Sequence, residues 1–188
     1  MAVTGTPGAG KSTFAKELGK RLGRAAVIEI NDVAKTGKHF SGIDKAGAMV
    51  VKPIELSNAI NAEIKEGLKR ESVIVVGHLV PELEMDPDVV VVIKARLNEL
   101  IKRLEGRKYT KDKIRENIVS EAIDYCGTVC AERWHNTFEV NGKEQEEEIM
   151  DYIIALANGG KPKPPKTRSG QRLDELLELI DDGNKYGF

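Results

Sequence analysis

Val3-Thr4-Gly5-Thr6-Pro7-Gly8-Ala9-Gly10-Lys11-Ser12-Thr13 stands near the head of the chain, and its reading decides the fold. Residues 5–12 spell G-x-x-x-x-G-K-S, the pattern of a loop that wraps phosphate. Glycine lets backbone N–H groups curl round phosphate oxygens with no Cβ in the way. Lys11 is placed to reach the β- and γ-phosphates of a nucleoside triphosphate, and the Ser12 hydroxyl to hold Mg2+. Ala2–Thr4 reads as a strand, and Phe14, Leu18 and Leu22 recur at helical spacing. The loop therefore has a strand before it and a helix after it, the context this motif requires. The helix directs its positive end at the bound anion.

Outward from the loop, apolar runs alternate with amphipathic ones. Residues 25–30, 72–76, 89–93 and 137–140 read as strands. The unbroken β-branched stretches of 72–76 and 89–93 suit strands buried on both faces. Pro53 opens a helix with Leu56, Ile60, Ile64 and Leu68 on one side. Leu97, Leu100, Ile101 and Leu104 mark another, residues 111–133 a long helical stretch, and residues 144–157 a closing helix. Such βαβα alternation gives an α/β fold: a parallel sheet with helices on both faces. Its ligands bind outside the carboxyl ends of the strands, where the first loop already lies.

The 188 residues are enough for one domain with a lid or tail. A net charge of −1 provides no global basic field, so any nucleic-acid contact has to be local. Cys126 and Cys130 lie four apart on an expected helix, where a disulfide has poor geometry; small buried thiols and a reducing compartment are expected. With His135 nearby they are half a metal site at most, because no second ligand pair follows at zinc spacing. The chain shows no signal peptide or membrane span, and a cytoplasmic protein is expected.

Residues 1–158 read as the body, 159–168 as a Gly/Pro/Lys linker, and 169–188 as an amphipathic helix and tail. Ser169 is placed to cap that helix and Gly183 to stop it. Leu173, Leu176, Leu177 and Ile180 form its apolar stripe, which docks on the body or on a partner. Lys161, Lys163, Lys166, Arg168 and Arg172 form a basic cluster that either contacts RNA phosphate or is merely solvated. Truncation at Gly159 is expected to cost partner binding or self-association and to leave nucleotide affinity little changed.

Three further clusters bear on the chemistry. Arg103 and Arg107 share a helical face and run into Lys108-Tyr109; arginines on a mobile segment can neutralise a transferring phosphoryl group. Asn31-Asp32 follows the second strand at the ligand rim, where Asp32 can cap a helix, orient an acceptor or stand behind magnesium. Gly77-His78 follows the third, where a neutral imidazole can position water or a phosphate oxygen.

On these segments the sequence resembles the small adenylate kinase-like ATPases of archaea and their eukaryotic relatives, the coilin-interacting nuclear ATPases. The carrying residues are 3–13, Ile30-Asn31-Asp32-Val33-Ala34, Val73 to His78, and Arg103 to Tyr109 continued by Ile114, Asn117 and Glu121. The likeness runs from Met1 to about Ala157 and leaves the tail outside it. It implies a three-layer P-loop nucleoside-kinase fold with a five-stranded parallel sheet, a monophosphate segment at about 29–52 and a short lid at about 106–116. It also implies that Gly8, Gly10, Lys11, Ser12 and Thr13 line ATP, with Mg2+ on Ser12, while Arg107, supported by Arg103, closes from the lid. Lys11, Asp32, His78 and Arg107 become the expected catalytic residues. The implied activity is γ-phosphate transfer from ATP to a nucleoside monophosphate such as AMP, or to water. The implied partners are a platform protein of the small ribosomal subunit and rRNA, late in maturation.

The chain departs from the family at three places. Val76 occupies the strand end where an acid holds the magnesium water, and can neither coordinate nor accept a hydrogen bond. Lys35 and Lys94 stand where arginines are usual, and lysine does not grip phosphate bidentately. Asp32 or Asp44 is the expected compensation for Val76. Two other readings stay open: a nucleotide-dependent binding module with negligible turnover, and a small-metabolite kinase on the same fold.

Overall fold

The computed structural model describes residues 1–43, 49–70, 72–166, 171–181 and 186–187. Asp44, Arg168, Ser169 and Gly183 lie outside these described residues.

Five parallel strands form one sheet in the order β2 (Ala25–Glu29), β5 (Ser72–Val76), β1 (Ala2–Thr4), β6 (Val90–Ile93), β7 (Thr137–Val140). The strand that leads into the phosphate loop is central, so the loop leaves the middle of the sheet's carboxyl edge. Val3 is in register with Val76 on one side and with Val91 on the other. This is the expected α/β fold.

The period-2 alternation of these strands divides the interior into two cores. On one side Val3, Ile74, Val76, Val91 and Val140 pack with α1 (Lys11–Leu22), α4 (Leu97–Gly106), α5 (Lys111–Ala122) and α7 (Lys143–Ala157). On the other, Ala2, Val73, Val75, Val90 and Val92 pack with α2 (Ile30–Thr36), α3 (Pro53–Gly67) and α6 (Tyr125–Arg133). Phe14 and Leu18 of α1 are at most 2% exposed, and the helix is thereby fixed beneath its loop.

Three features differ from the sequence expectations. The segment after α2 contains an antiparallel hairpin, β3 (Phe40–Ile43) with β4 (Met49–Val51). Its strands are short, and the register shifts between Phe40 and Gly42, so no clean alternation announces it. The long helix expected over 111–133 is two helices. Asp124 breaks it by adopting φ 58°, and its carboxylate accepts from the Gly127 amide at 3.2 Å to start α6.

The third difference is the tail helix, α8 (Leu173–Asp181). It docks on the body, but by only part of the expected stripe. Leu179 is buried and Leu176 packs on the first core, while Leu173, Leu177 and Ile180 are exposed. Polar anchors set the rotation. The Arg172 amide donates to Ala122 O at 2.8 Å, its guanidinium to Glu175 and to Asn141 Oδ1 at 2.5 Å, and the Leu97 amide donates to Glu175 Oε2 at 2.8 Å. Beyond α8 the Tyr186 hydroxyl donates to Glu105. The tail thus holds α4 at both ends. No helix among the described residues is long and apolar enough to cross a membrane.

Candidate phosphate-binding site

The loop between β1 and α1 carries its glycines where the backbone demands them. Gly5 has φ 132°, and a Cβ there would sit 2.3 Å from Ile93 O. Gly10, the residue before α1, has φ 117°. The amides of Ala9 and Thr13 are spent on Thr6 O and Gly10 O, each at 3.0 Å. Those of Gly8, Gly10, Lys11 and Ser12 have no acceptor among the described residues. Two of them open α1, so free donors and the helix's positive end coincide.

Lys11 is held close to this cradle. Its ammonium donates to Gly5 O at 2.9 Å and Thr6 O at 3.0 Å. Burial is the main force lowering its pKa to about 8, and the positive Arg107 pushes the same way. The carboxylates of Glu121 and Glu29 are close enough to oppose that shift. An ammonium desolvated beside an arginine wants anionic company, and a polyphosphate supplies it. Ser12 and Thr13 are exposed at the first turn of α1.

Arg103 and Arg107, at the carboxyl end of α4, differ in what they touch. Arg103 donates to Gly8 O at 3.2 Å and Ala9 O at 3.3 Å, and is braced by Glu99 at 2.9 Å. It therefore clamps the loop backbone from α4. Arg107 ends α4, is exposed, and lies near enough to Lys11 for its charge to be felt. Lys108 follows with φ 59°, which turns the chain out of α4 toward α5.

His78 lies just past the end of β5. Burial, then the charges of Lys11 and Lys113, lower its pKa to about 4, so the imidazole is neutral at working pH. Gly77 before it admits Ile30: a Cβ there would fall 2.7 Å from the Ile30 side chain. Asp32 is exposed in the first turn of α2. It is not the cap of that helix, because α2 begins directly after β2 and Glu29 is the residue before it. Lys35 is exposed in the last turn of α2.

Lys94 faces inward. Its ammonium meets Asp124 at 2.5 Å and stands 3.9 Å from Glu121, all three nearly solvent-free. Glu121 accepts from the Thr6 hydroxyl at 2.6 Å and the Ala95 amide at 2.9 Å, and lies 3.9 Å from Arg172 Nε. Glu139 closes the group. Burial, then Asp124, push its pKa up to about 7, so it holds its proton near neutrality and spares the cluster a third negative charge.

The structure thus brings Lys11, Ser12, Arg103, Arg107 and His78 round one loop and leaves Asp32 at the rim. The pattern of residues missed Lys113, whose signal lies only in its proximity to His78. It also missed the buried group beneath Thr6, for which a lysine directly after an apolar strand was the available sign. Cys126 and Cys130 are free and buried, and burial raises their pKa values to about 11 and about 12, which keeps both thiols protonated.

Comparison with known proteins agrees with this geometry. A family described as "AAA domain" matches residues 1–124. A "Putative adenylate kinase" of Methanosarcina barkeri is 31% identical over 175 residues, covering 90% of this chain and 94% of that protein. A protein of the same name from Pyrococcus abyssi is 34% identical over 161 residues, covering 85% of this chain and 84% of that one. Among solved structures, a shikimate kinase from Acinetobacter baumannii in complex with shikimate superposes with a TM-score of 0.57 at 17% identity, over 86% of this chain and 94% of that one. A deoxyadenosine kinase from M. mycoides gives 0.54 at 14% identity, over 84% and 98%. These two show the P-loop kinase fold. The chain is a nucleotide kinase-like P-loop protein; it belongs to the AAA-domain family and to the family of these archaeal relatives.

Proposed function

We propose that the protein transfers the γ-phosphate of ATP to a nucleoside monophosphate, AMP first among them, and to water. The observation that carries this reading is the convergence of Lys11, Arg103 and Arg107 on a loop with open amides.

The amides of Gly8, Gly10, Lys11 and Ser12 would hold the β- and γ-phosphates, with Lys11 neutralising charge between them. Mg2+ would be held by the Ser12 hydroxyl and would draw charge from the transferring oxygens when bound. The site fits that ion. Magnesium in such sites takes phosphate and water oxygens rather than a protein cage, and the Ser12 hydroxyl is exposed in the first turn of α1 beside the open amides. Arg103 would keep the loop in shape, and Arg107 would move onto the developing charge. Neutral His78 would orient water or an acceptor oxygen without adding positive charge. Asp32 would face an acceptor lying over α2, where exposed Lys35 and Lys38 favour an anionic one.

The role in late maturation of the small ribosomal subunit, with a platform protein and rRNA as partners, rests on the sequence resemblance. A second reading, a nucleotide-dependent binding module with negligible turnover, draws on Val76, fully buried where the family has an acid. Release of ADP with Mg2+, measured alone, with AMP, and with platform protein plus rRNA, separates the readings. Stimulation by AMP supports the kinase. Stimulation only by the ribosomal partners supports an assembly ATPase, and ATP binding without turnover supports the module. An acceptor screen in which a hydroxylated metabolite outperforms every nucleotide overturns the choice of acceptor.

A further inference from the structure

The family resemblance implies an acid at the end of β5, where this chain has Val76, and the sheet places a carboxylate beside it. β2 and β5 pair in parallel with Glu29 opposite Val76. Paired residues of a parallel sheet project to the same face. Val76 lies in the core that contains Phe14 and Leu18 of α1. Glu29 therefore projects toward α1, not toward α2, which it precedes. An independent contact gives the same direction. A Cβ on Gly19 of α1 would fall 3.3 Å from Val27 Cγ2, and Glu29 is two residues beyond Val27 on the same strand face. Ile28 and Ile30 belong to the opposite core.

α1 runs back along the sheet, so its first turn, with Lys11 and Ser12, covers the carboxyl ends of the strands. Glu29 is the last residue of its strand, and its charge acts on Lys11 in that turn. No hydrogen bond or ion pair among the described residues engages its carboxylate. One strand spacing, about 4.8 Å, separates it from the β5 position, and glutamate has one methylene more than aspartate with which to span part of that gap.

We propose that Glu29 replaces the missing strand-end acid: its carboxylate accepts hydrogen bonds from water on the Mg2+ that Ser12 and the nucleotide hold. Glu29 is a positioning residue, since it acts through water and not on the transferring phosphorus. This rests on the reading of the loop as an ATP site.

The test is the Mg2+ dependence of ATP affinity, measured by calorimetry on the full chain with saturating Mg2+ and again in EDTA. In the wild type, Mg2+ tightens binding. In Glu29→Gln that gain shrinks roughly tenfold to a hundredfold, the usual cost of losing a group behind a metal ligand. Affinity in EDTA stays equal or rises, because a negative charge beside the phosphates has gone; this arm also shows that the variant is folded. A Glu29→Gln protein that keeps the whole gain overturns the proposal. So does one that loses binding equally in EDTA, which makes Glu29 a prop of the loop. A wild type that binds ATP without any gain from Mg2+ overturns it as well. A wild type that binds no ATP in either condition overturns instead the phosphoryl-transfer reading on which the proposal stands.

Discussion

Thr6 and Glu121, 115 residues apart in sequence, meet through a 2.6 Å hydrogen bond beneath the phosphate loop. Thr6 is 2% exposed and Glu121 equally so, and the other Glu121 oxygen takes the Ala95 amide. The loop is thereby tied to α5 and to the end of β6. Thr6→Val keeps the shape and deletes the donor. It is expected to lower stability by about 1–3 kcal/mol, the cost of a buried acceptor losing its partner. It should weaken ATP binding several-fold, because the Thr6 carbonyl also positions Lys11. Urea unfolding and calorimetry check the two effects separately.

Arg172 extends the same tie into the tail. Its guanidinium lies among Glu121, Glu175 and Asn141, and its side chain is 10% exposed. Arg172→Ala leaves Glu121 with less compensating charge and frees Glu175 from one of its partners. A loss of about 3–5 kcal/mol in unfolding free energy is expected, the range for breaking a buried ion pair. The sequence alone suggests that truncation at Gly159 spares nucleotide affinity. The contacts of Arg172, Glu175 and Tyr186 with both ends of α4 revise that expectation: truncation should weaken ATP binding by loosening the helix that carries Arg103. Unchanged affinity in a stably folded truncation would return the tail to a purely external role.

Half-buried His78 and buried Glu139 give opposite pH trends. His78 titrates near 4 in the fold and near 6.5 when unfolded, so the unfolded chain binds its proton first. Its contribution is intact above pH 6.5 and is lost as pH falls toward 4. Glu139 titrates near 7 in the fold against 4.5 unfolded. Its contribution is intact below 4.5 and is lost as pH rises through 7. Glu139→Gln should therefore flatten the stability profile between about pH 4.5 and 7. His78→Gln should flatten the window between 4 and 6.5. Chemical denaturation at a series of pH values reads both.

The sheet was legible because its strands are unbroken β-branched runs such as Val89 to Ile93, and the loop because its residue types follow from phosphate chemistry. Helix boundaries were legible wherever a side chain announced them, as Pro53 does. The break at Asp124 was not, since a left-handed residue inside a helical pattern leaves no periodic trace. The docking face of α8 was misread for a related reason. Hydrophobic spacing favoured Leu173, Leu176, Leu177 and Ile180, of which only Leu176 packs on the core, whereas the rotation is set by where Arg172 and Glu175 find partners. Arg103 and Arg107 were legible as a pair, but which one grips the loop depends on distances that only the fold supplies.

The central claim is that the loop around Lys11 binds the phosphates of ATP. Calorimetry of ATP with Mg2+ into the wild type and into Lys11→Ala tests it most directly. One site per wild-type chain is expected, weakened by at least about tenfold in the variant, since a charged hydrogen bond of about 1.5–3 kcal/mol is removed. No binding of any purine triphosphate by folded wild-type protein, or equal affinity in the two proteins, would contradict it.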